Sequence, residues 1–346
     1  MVEVSSRATM AEVAAAAGVS IPTVSKVLNG RSDVAPGTRE RVVRLLAELG
    51  YVPQPRVRRR VGVIDLVLTE FSEWATEIVR GAEAAALAFG SRIAVSAVRG
   101  DVAEHLWWRS VTASRTDGVV LVLTELATPR RDHLAAFRVP VVVIEPASDP
   151  GPCVPSVGAA NWAGGLRATE HLLELGHRRI GTITGRPGLE CSRARLDGYR
   201  TALRRAGIAI DPTLIAAGDF HYESALAAAS AMLALANPPT AIFAASDVQA
   251  MGVYEAARQH RLRLPEDLSV VGFDDVPMAA FASPPLTTLH QPLAEMAALA
   301  VRRLLGRGDA ALSGRVELAT SLVVRASSAP PRGHLAAICD RATTGV

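Results

Sequence analysis

The period of the apolar residues changes near residue 60. Before that point apolar positions recur every three or four residues in three short runs, the spacing of helices with one buried face. Thr9 precedes MAEVAAAAG with Glu12 three positions on, which predicts a capping box, and Gly18 supplies the stop. Ser20 then caps IPTVSKVLNG, where Pro22 takes an early position that needs no amide donor and Gly30 ends the run. Ala14, Val19, Val24 and Val27 are spaced to share a small core, leaving Ile21, Pro22, Thr23, Ser25 and Lys26 outside it. Pro36 opens a third run, PGTRERVVRLLAELG, with Val42, Val43, Leu45, Leu46 and Leu49 as its apolar face and Gly50 at its end. Three short helices with this turn spacing predict a helix-turn-helix, the second helix of which enters the DNA major groove.

From Val61 the pattern becomes apolar runs alternating with amphipathic stretches: VGVIDLVL, WATEIVRGAEAAALAFG, RIAVSAV, DGVVLVL and VPVVVIE. Near-continuous Val, Ile and Leu strands between helices predict a parallel sheet buried on both faces. A second set follows Pro155, with GHRRIGTITG, PPTAIFAAS and LSVVGFDD as strands and helices near 160–175, 192–206, 222–236 and 248–261. Ligands of open parallel sheets bind beyond the carboxyl ends of the strands, so two such halves enclose a cleft.

Charge sharpens the division. Residues 1–60 hold ten basic against five acidic side chains, whereas the whole chain carries only +3, which fits a basic nucleic-acid module joined to a near-neutral sensor. Lys26 is the only lysine. Cys153, Cys191 and Cys339 are far apart and odd in number, so neither a disulfide framework nor a metal site is expected, and no cofactor is implied. MVEVSSRATMAEV has no basic start followed by an apolar run, and no stretch nears the ~18 apolar residues of a membrane span. A cytoplasmic protein without membrane contact is the expectation.

TMAEVAAAAGVSIPTVSKVLNG followed by VAPGTRERVVRLLAELGYVP resembles the head of the LacI/GalR family of transcription regulators. The likeness continues through HLLELGHRRIG, RLDGYRTAL, AIFAASDVQAMGVYEAAR, LSVVGFDDVPMAAFASPPLTTLHQP and VELATSLVVRAS, over roughly residues 9–328. It implies an all-α helix-turn-helix head followed by an α/β, two-lobed periplasmic-binding-protein-like (type I) domain. The implied boundaries are a DNA-binding domain over 1–52, a hinge over 53–60 and a ligand-binding and dimerisation domain over 61–328, with a disordered tail over 329–346. Within the large domain the first lobe covers about 61–157 plus 290–328 and the second about 158–289, the chain crossing between them three times. By the same resemblance Ile21, Pro22 and Lys26 read bases while Thr9, Ser20, Thr23, Ser25, Asn29 and Thr38 fix phosphates. Hydroxyls and amides near helix starts suit phosphate oxygens, and a long cation reaches guanine acceptors. The hinge departs from the family pattern: YVPQPRVRRRV is short, has Pro55 where the hinge helix would start, and carries Arg60 where the family has a leucine. Arg56, Arg58, Arg59 and Arg60 are therefore candidates for phosphate or minor-groove contact, Arg56 and Arg60 foremost, with a plain basic tether as the alternative.

For the ligand the resemblance points to Arg195, Phe220, Ser246, Asp274 and Gln291, each just beyond an expected strand. Arg195 can donate to adjacent hydroxyls, Asp274 can accept two, and Phe220 can stack on the C–H face of a sugar. Trp74, Glu125, Glu145, Asn161 and Trp162 join them from the first half, while Asp247 and Asp275 are read as residues that cap helices or hold loops. The implied partners are a near-palindromic double-stranded operator, a mono- or oligosaccharide effector and a second copy of the chain, a homodimer with a tetramer as alternative. Asp274 and Asp275 are adjacent and point apart, and no nucleophile elbow, phosphate loop or metal cluster is present, so an enzyme is not expected. The nearest rival is a regulator tightened on DNA by a purine-like corepressor, or one independent of ligand.

Overall fold

The computed structural model describes residues 9–28, 31, 33–49, 51, 62–98, 107, 116–122, 139–151, 154–306 and 314–332. The chain divides into two compact units, 1–61 and 62–346. In the first, α1 (Met10–Ala17) starts at the capping box: Thr9 Oγ1 accepts from the Glu12 amide at 3.3 Å and Glu12 Oε2 from the Thr9 amide at 2.6 Å. Gly18 ends it at φ +62, a left-handed position that costs glycine little. The chain turns by 103° into α2 (Ile21–Leu28), within the range of helix-turn-helix pairs. With α3 (Pro36–Glu48) these helices bury Val13, Ala14, Ala17, Val24, Val27 and Val42. The expected apolar face of α3 is narrower than the sequence implies: Val43 is 54% exposed and Leu49 is also exposed. A helix turns about 100° per residue, so Val42 and Val43 cannot both meet the two short helices beneath them.

The second unit contains two six-stranded sheets. The first holds β1 (Gly62–Leu68), β2 (Ser91–Ala97), β3 (Gly118–Val122), β4 (Val141–Ile144), β5 (Ser156–Ala159) and β11 (Arg315–Leu318) in the order β11-β5-β4-β3-β1-β2. All pairs are parallel, with Ile64 opposite both Ile93 and Gly118. Helices α4 (Glu73–Ala88) and, late in the chain, Leu293–Leu305 pack together on one face. Ile64, Leu66, Ile78, Val120, Ile144, Met296 and Val301 are buried between them. Each such side chain contributes about 1.5–3 kcal/mol, which explains why these strands read as unbroken apolar runs.

After Ala159 the chain crosses to the second sheet. It runs through α5 (Asn161–Glu174), β6 (Ile180–Ile183), α6 (Glu190–Arg205), β7 (Ile215–Ala216), α7 (Tyr222–Leu233), β8 (Ala241–Ala244), α8 (Asp247–Gln259), β9 (Ser269–Asp274), α9 (Met278–Phe281) and β10 (Thr287–His290). The helix over Leu293–Leu305, α10, then returns to the first sheet before β11, and β12 (Ser321–Val323) closes the second sheet in the order β12-β10-β9-β8-β6-β7.

Three boundaries are thereby corrected. The expected first lobe, 61–157 plus 290–328, gives up its final segment: β12 pairs antiparallel with β10, Leu289 opposite Leu322, in the second sheet. Three crossings that begin in the first lobe must end in the second. The first lobe also keeps Gly158 and Ala159, which lie in β5 opposite Glu317 and Leu318. The expected tail from 329 begins too early as well. The Ala329 amide donates to Ser269 Oγ at 3.0 Å, its carbonyl accepts from Ser269 Oγ and lies 2.9 Å from His177 Nε2, and Arg332 pairs with Asp267. The rest of that segment, 333–346, lies outside the described residues.

Candidate functional site

In the first unit Val24 and Val27 are buried, which turns Ile21, Pro22 and Lys26 outward, Ile21 being 47% exposed. Thr23, Ser25 and Thr38 are half-buried. Thr9 and Ser20 are exposed caps; Ser20 Oγ accepts from the Thr23 amide at 3.4 Å and lies 2.9 Å from Thr23 Oγ1. A contact missed in the sequence ties Lys26 Nζ to Asp33 Oδ2 at 2.7 Å. Asn29, Arg56, Arg58, Arg59 and Arg60 lie outside the described residues, as does Glu125.

The strand order of each sheet in the second unit reverses direction about its first strand, between β1 and β3 and between β6 and β8. Such switch points leave a crevice at the carboxyl ends of the strands. A cavity of about 460 Å³ lies there, lined from the first half by Glu70, Phe71, Ser72, Glu73, Trp74 and Glu145. From the second half come Cys191, Arg195, Phe220, His221, Ser246, Val248, Asp274 and Val276. Glu145 follows β4, Ser246 caps α8 with Oγ accepting from the Gln249 amide at 3.1 Å, and Asp274 ends β9.

Behind the cavity runs a buried polar chain. Glu145 accepts from the Ala159 amide at 2.5 Å and from Asn161 Nδ2 at 3.1 Å. Asn161 Oδ1 accepts from Arg195 Nε at 2.8 Å. Arg195 Nη1 donates to the Ala245 carbonyl at 2.5 Å and lies 3.7 Å from Asp274 Oδ1, which Gln291 Nε2 reaches at 2.5 Å. The guanidinium carbon sits 3.7 Å from the centre of the Phe273 ring and 5.7 Å from that of Phe220, so both aromatics hold it in place. Burial pushes the carboxyls of Glu145 and Asp274 above the usual range, with Arg195 opposing the shift in both. Burial likewise raises the Cys191 thiol to about 11, which makes it an unreactive piece of wall.

Backbone geometry marks the same place. Five non-glycine residues among those described have positive φ, and three of them, Glu145 (+47), Phe220 (+74) and Asp274 (+120), line the cavity. Such conformations cost about 1–3 kcal/mol each and concentrate at functional sites. Gly185 lies against the Phe220 ring so closely that any Cβ there would collide with it.

Not every expected ligand residue faces the cavity. Asn161 bridges Glu145 and Arg195 from behind, and Gln291 reaches the site only through Asp274. Trp162, 43% exposed, instead lines a separate cavity of about 290 Å³ with Glu190, Arg315 and Glu317. Asp247 is fully buried and accepts from the Val276 amide at 2.9 Å and Thr288 Oγ1 at 2.5 Å, fixing the loop after β9. Asp275 pairs with Arg325 at 2.6 Å. Phe71 and His221, which follow β1 and precede α7, were missed; only the rule that ligands sit past strand ends would have pointed to Phe71. Among the described residues no group of three or more His, Cys, Asp or Glu is arranged to hold a metal, and no single helix is long and apolar enough to cross a membrane.

Residues 9–54 match the model of bacterial regulatory proteins of the lacI family, and 169–328 that of a periplasmic binding protein-like domain. The HTH-type transcriptional regulator CelR of Thermobifida fusca is 38% identical over 93% of this chain and 98% of its own length. The HTH-type transcriptional repressor CytR of Escherichia coli K12 is 36% identical over 93% and 96%. Among solved structures, the CelR–cellobiose complex superposes with a TM-score of 0.72 at 37% identity, covering 93% of this chain and 100% of that one. The Lac repressor dimer bound to operator and the anti-inducer ONPF gives 0.74 at 29%, covering 94% and 100%.

Proposed function

Because the chain belongs to the LacI family of bacterial regulatory proteins, we propose that it is a cytoplasmic transcriptional repressor, not an enzyme, released from its operator by a sugar. The observation that carries the reading is the joining of Arg195, Asp274 and Glu145 into one buried polar chain at the back of a cleft that Trp74 and Phe220 also line. Arg195 Nε and Nη1 are committed to the protein, which leaves Nη2 to donate to a ligand oxygen. Asp274 accepts hydroxyls, and the aromatic faces take the C–H surface of a pyranose. A hexose occupies roughly 200 Å³ at protein packing density, so the cavity has room for two rings. The cellobiose of the CelR complex makes a β-linked disaccharide the first effector to test.

At the other end, Ile21, Pro22 and Lys26 of α2 read base edges while Thr9, Ser20, Thr23, Ser25 and Thr38 hold phosphates. A homodimer presents two such heads to a near-palindromic operator, as symmetry requires. Ligand closes the lobes about the crossings near 160, 291 and 319, and the rotation changes the spacing of the heads. The second reading, a purine-type corepressor, draws on the aromatic rings of Phe71, Trp74 and Phe220 in the cavity. The carboxylates of Asp274 and Glu145 beside them favour a polyol.

Isothermal titration with glucose, ribose, cellobiose, adenine and guanine tests this directly. One saccharide is expected to bind the wild type and to lose at least a hundredfold in affinity with Arg195→Ala. Binding of a base alone, or saccharide binding indifferent to Arg195, would overturn the assignment.

A further inference from the structure

Lys26 is the one long cation on the exposed side of α2, and it does not stand free. Its Nζ is 2.7 Å from Asp33 Oδ2, with the two side chains 50% and 57% exposed. Asp33 lies two helical turns beyond it in sequence, between α2 and α3, where it also feels Arg39. The Lys26 bond holds the Asp33 carboxyl below its usual range. An acidic group this close to the base-reading cation of a DNA-binding helix repels phosphates, so its presence there works against binding as such.

We propose that Asp33 is a specificity-determining residue, a competitor that occupies Lys26 until a matching base edge takes its place. The inference rests on the reading of Lys26 as a base-contacting residue. On a matching operator the acceptors of a guanine replace the carboxylate in fixed geometry, and the exchange is nearly balanced. On any other duplex no such acceptor is in reach. Lys26 then stays with Asp33, its charge is cancelled, and it adds no phosphate contact. Without Asp33 the ammonium is free to settle on whichever phosphate is nearest, which strengthens binding to every sequence. Exposure keeps the Lys26–Asp33 pair weak enough to exchange. Discrimination thus comes from what the pair denies to wrong sites, a repulsive device alongside the attractive contact.

The test compares the full-length protein on two duplexes, one selected by it from a random pool and one a scramble of equal composition, across a range of salt. For Asp33→Asn the slope of log K against log salt on the scrambled duplex is expected to steepen by about 0.9, the signature of one more phosphate contact. On the selected duplex the slope stays within about 0.3 of wild type. Discrimination falls at least threefold, and Asp33→Glu, which keeps the charge, restores it. An unchanged scrambled slope with Asp33→Asn overturns the proposal. So does an equal effect of Asp33→Asn in a Lys26→Ala background, because Asp33 would then act only as bulk charge. If Lys26→Ala alone leaves discrimination intact, the base-reading role of Lys26 fails first, and the two failures are told apart.

Discussion

At the scale of single residues, Arg195 joins the cleft together. Its guanidinium satisfies Asn161 and the Ala245 carbonyl and balances Asp274 within 3.7 Å. Removing one partner of such a buried set typically costs about 3–5 kcal/mol. Arg195→Ala is therefore expected to lower the melting temperature of the sensor unit and abolish the sugar response while leaving operator affinity intact, as calorimetry and DNA titration will show. Asp274 adds a pH dependence. Burial raises its folded-state pKa, so between the ordinary aspartate range and that raised value the folded chain holds a proton the unfolded chain has released. Stability of the ligand-free protein falls as pH rises through that window. The ionised carboxylate is the better acceptor for hydroxyls, so saccharide affinity is expected to rise from about pH 5 to about pH 8, and Asp274→Asn to flatten the profile. The family resemblance made Arg195, Phe220, Ser246 and Asp274 legible in the sequence; strand-end position agrees for Ser246 and Asp274 but not for Arg195, which lies inside α6. Strand-end position misled for Trp162, because Asn161 and Trp162 are neighbours on one helix and point about 100° apart. The tie between Lys26 and Asp33 was hidden because it closes across a turn, where side-chain direction follows no period.

At the scale of elements, the site depends on how closely helices α5 and α6 cross. A Cβ at Gly165 would strike the Arg195 carbonyl, and one at Gly198 the Trp162 carbonyl. Any larger residue forces the helices apart and carries Asn161 and Arg195 with them. Gly198→Val is expected to destabilise the sensor by about 2 kcal/mol or more and to weaken saccharide binding. The helix-turn-helix contains no tryptophan, so tryptophan fluorescence follows the sensor transition alone, and the helix-turn-helix transition seen in far-ultraviolet circular dichroism is expected to stay unchanged. The helices of the head were legible because each carries its own start and stop, Thr9 with Glu12 and then Gly18. β12 was not: three residues, Ser321–Val323, carry no pattern of their own, and only the open edge of β10 decides where they pair.

At the scale of the whole molecule, the three crossings between sheets make the second unit two bodies joined by short segments, the arrangement that allows closure about a ligand. An ion pair, Arg315 to Glu190 at 2.6 Å, joins β11 of the first sheet to α6 of the second. Arg315→Ala is expected to shift the saccharide concentration needed for release without changing which saccharide is chosen, measured by titration at fixed operator concentration. The two-unit plan and the paired α/β halves could be read from the change of apolar period near residue 60. The pairing partner of the last segment could not, because it depends on a sheet edge that forms only after the chain has folded back, although the three expected crossings already require it to end in the second lobe.

The central claim is that a sugar in the cleft loosens the grip on DNA. Fluorescence anisotropy of labelled operator at constant salt, with each saccharide and base added in turn, tests it most directly. Release by one saccharide from the wild type, and none from Arg195→Ala, is the expected result. Tightening by a base, or equal release from both proteins, would contradict it.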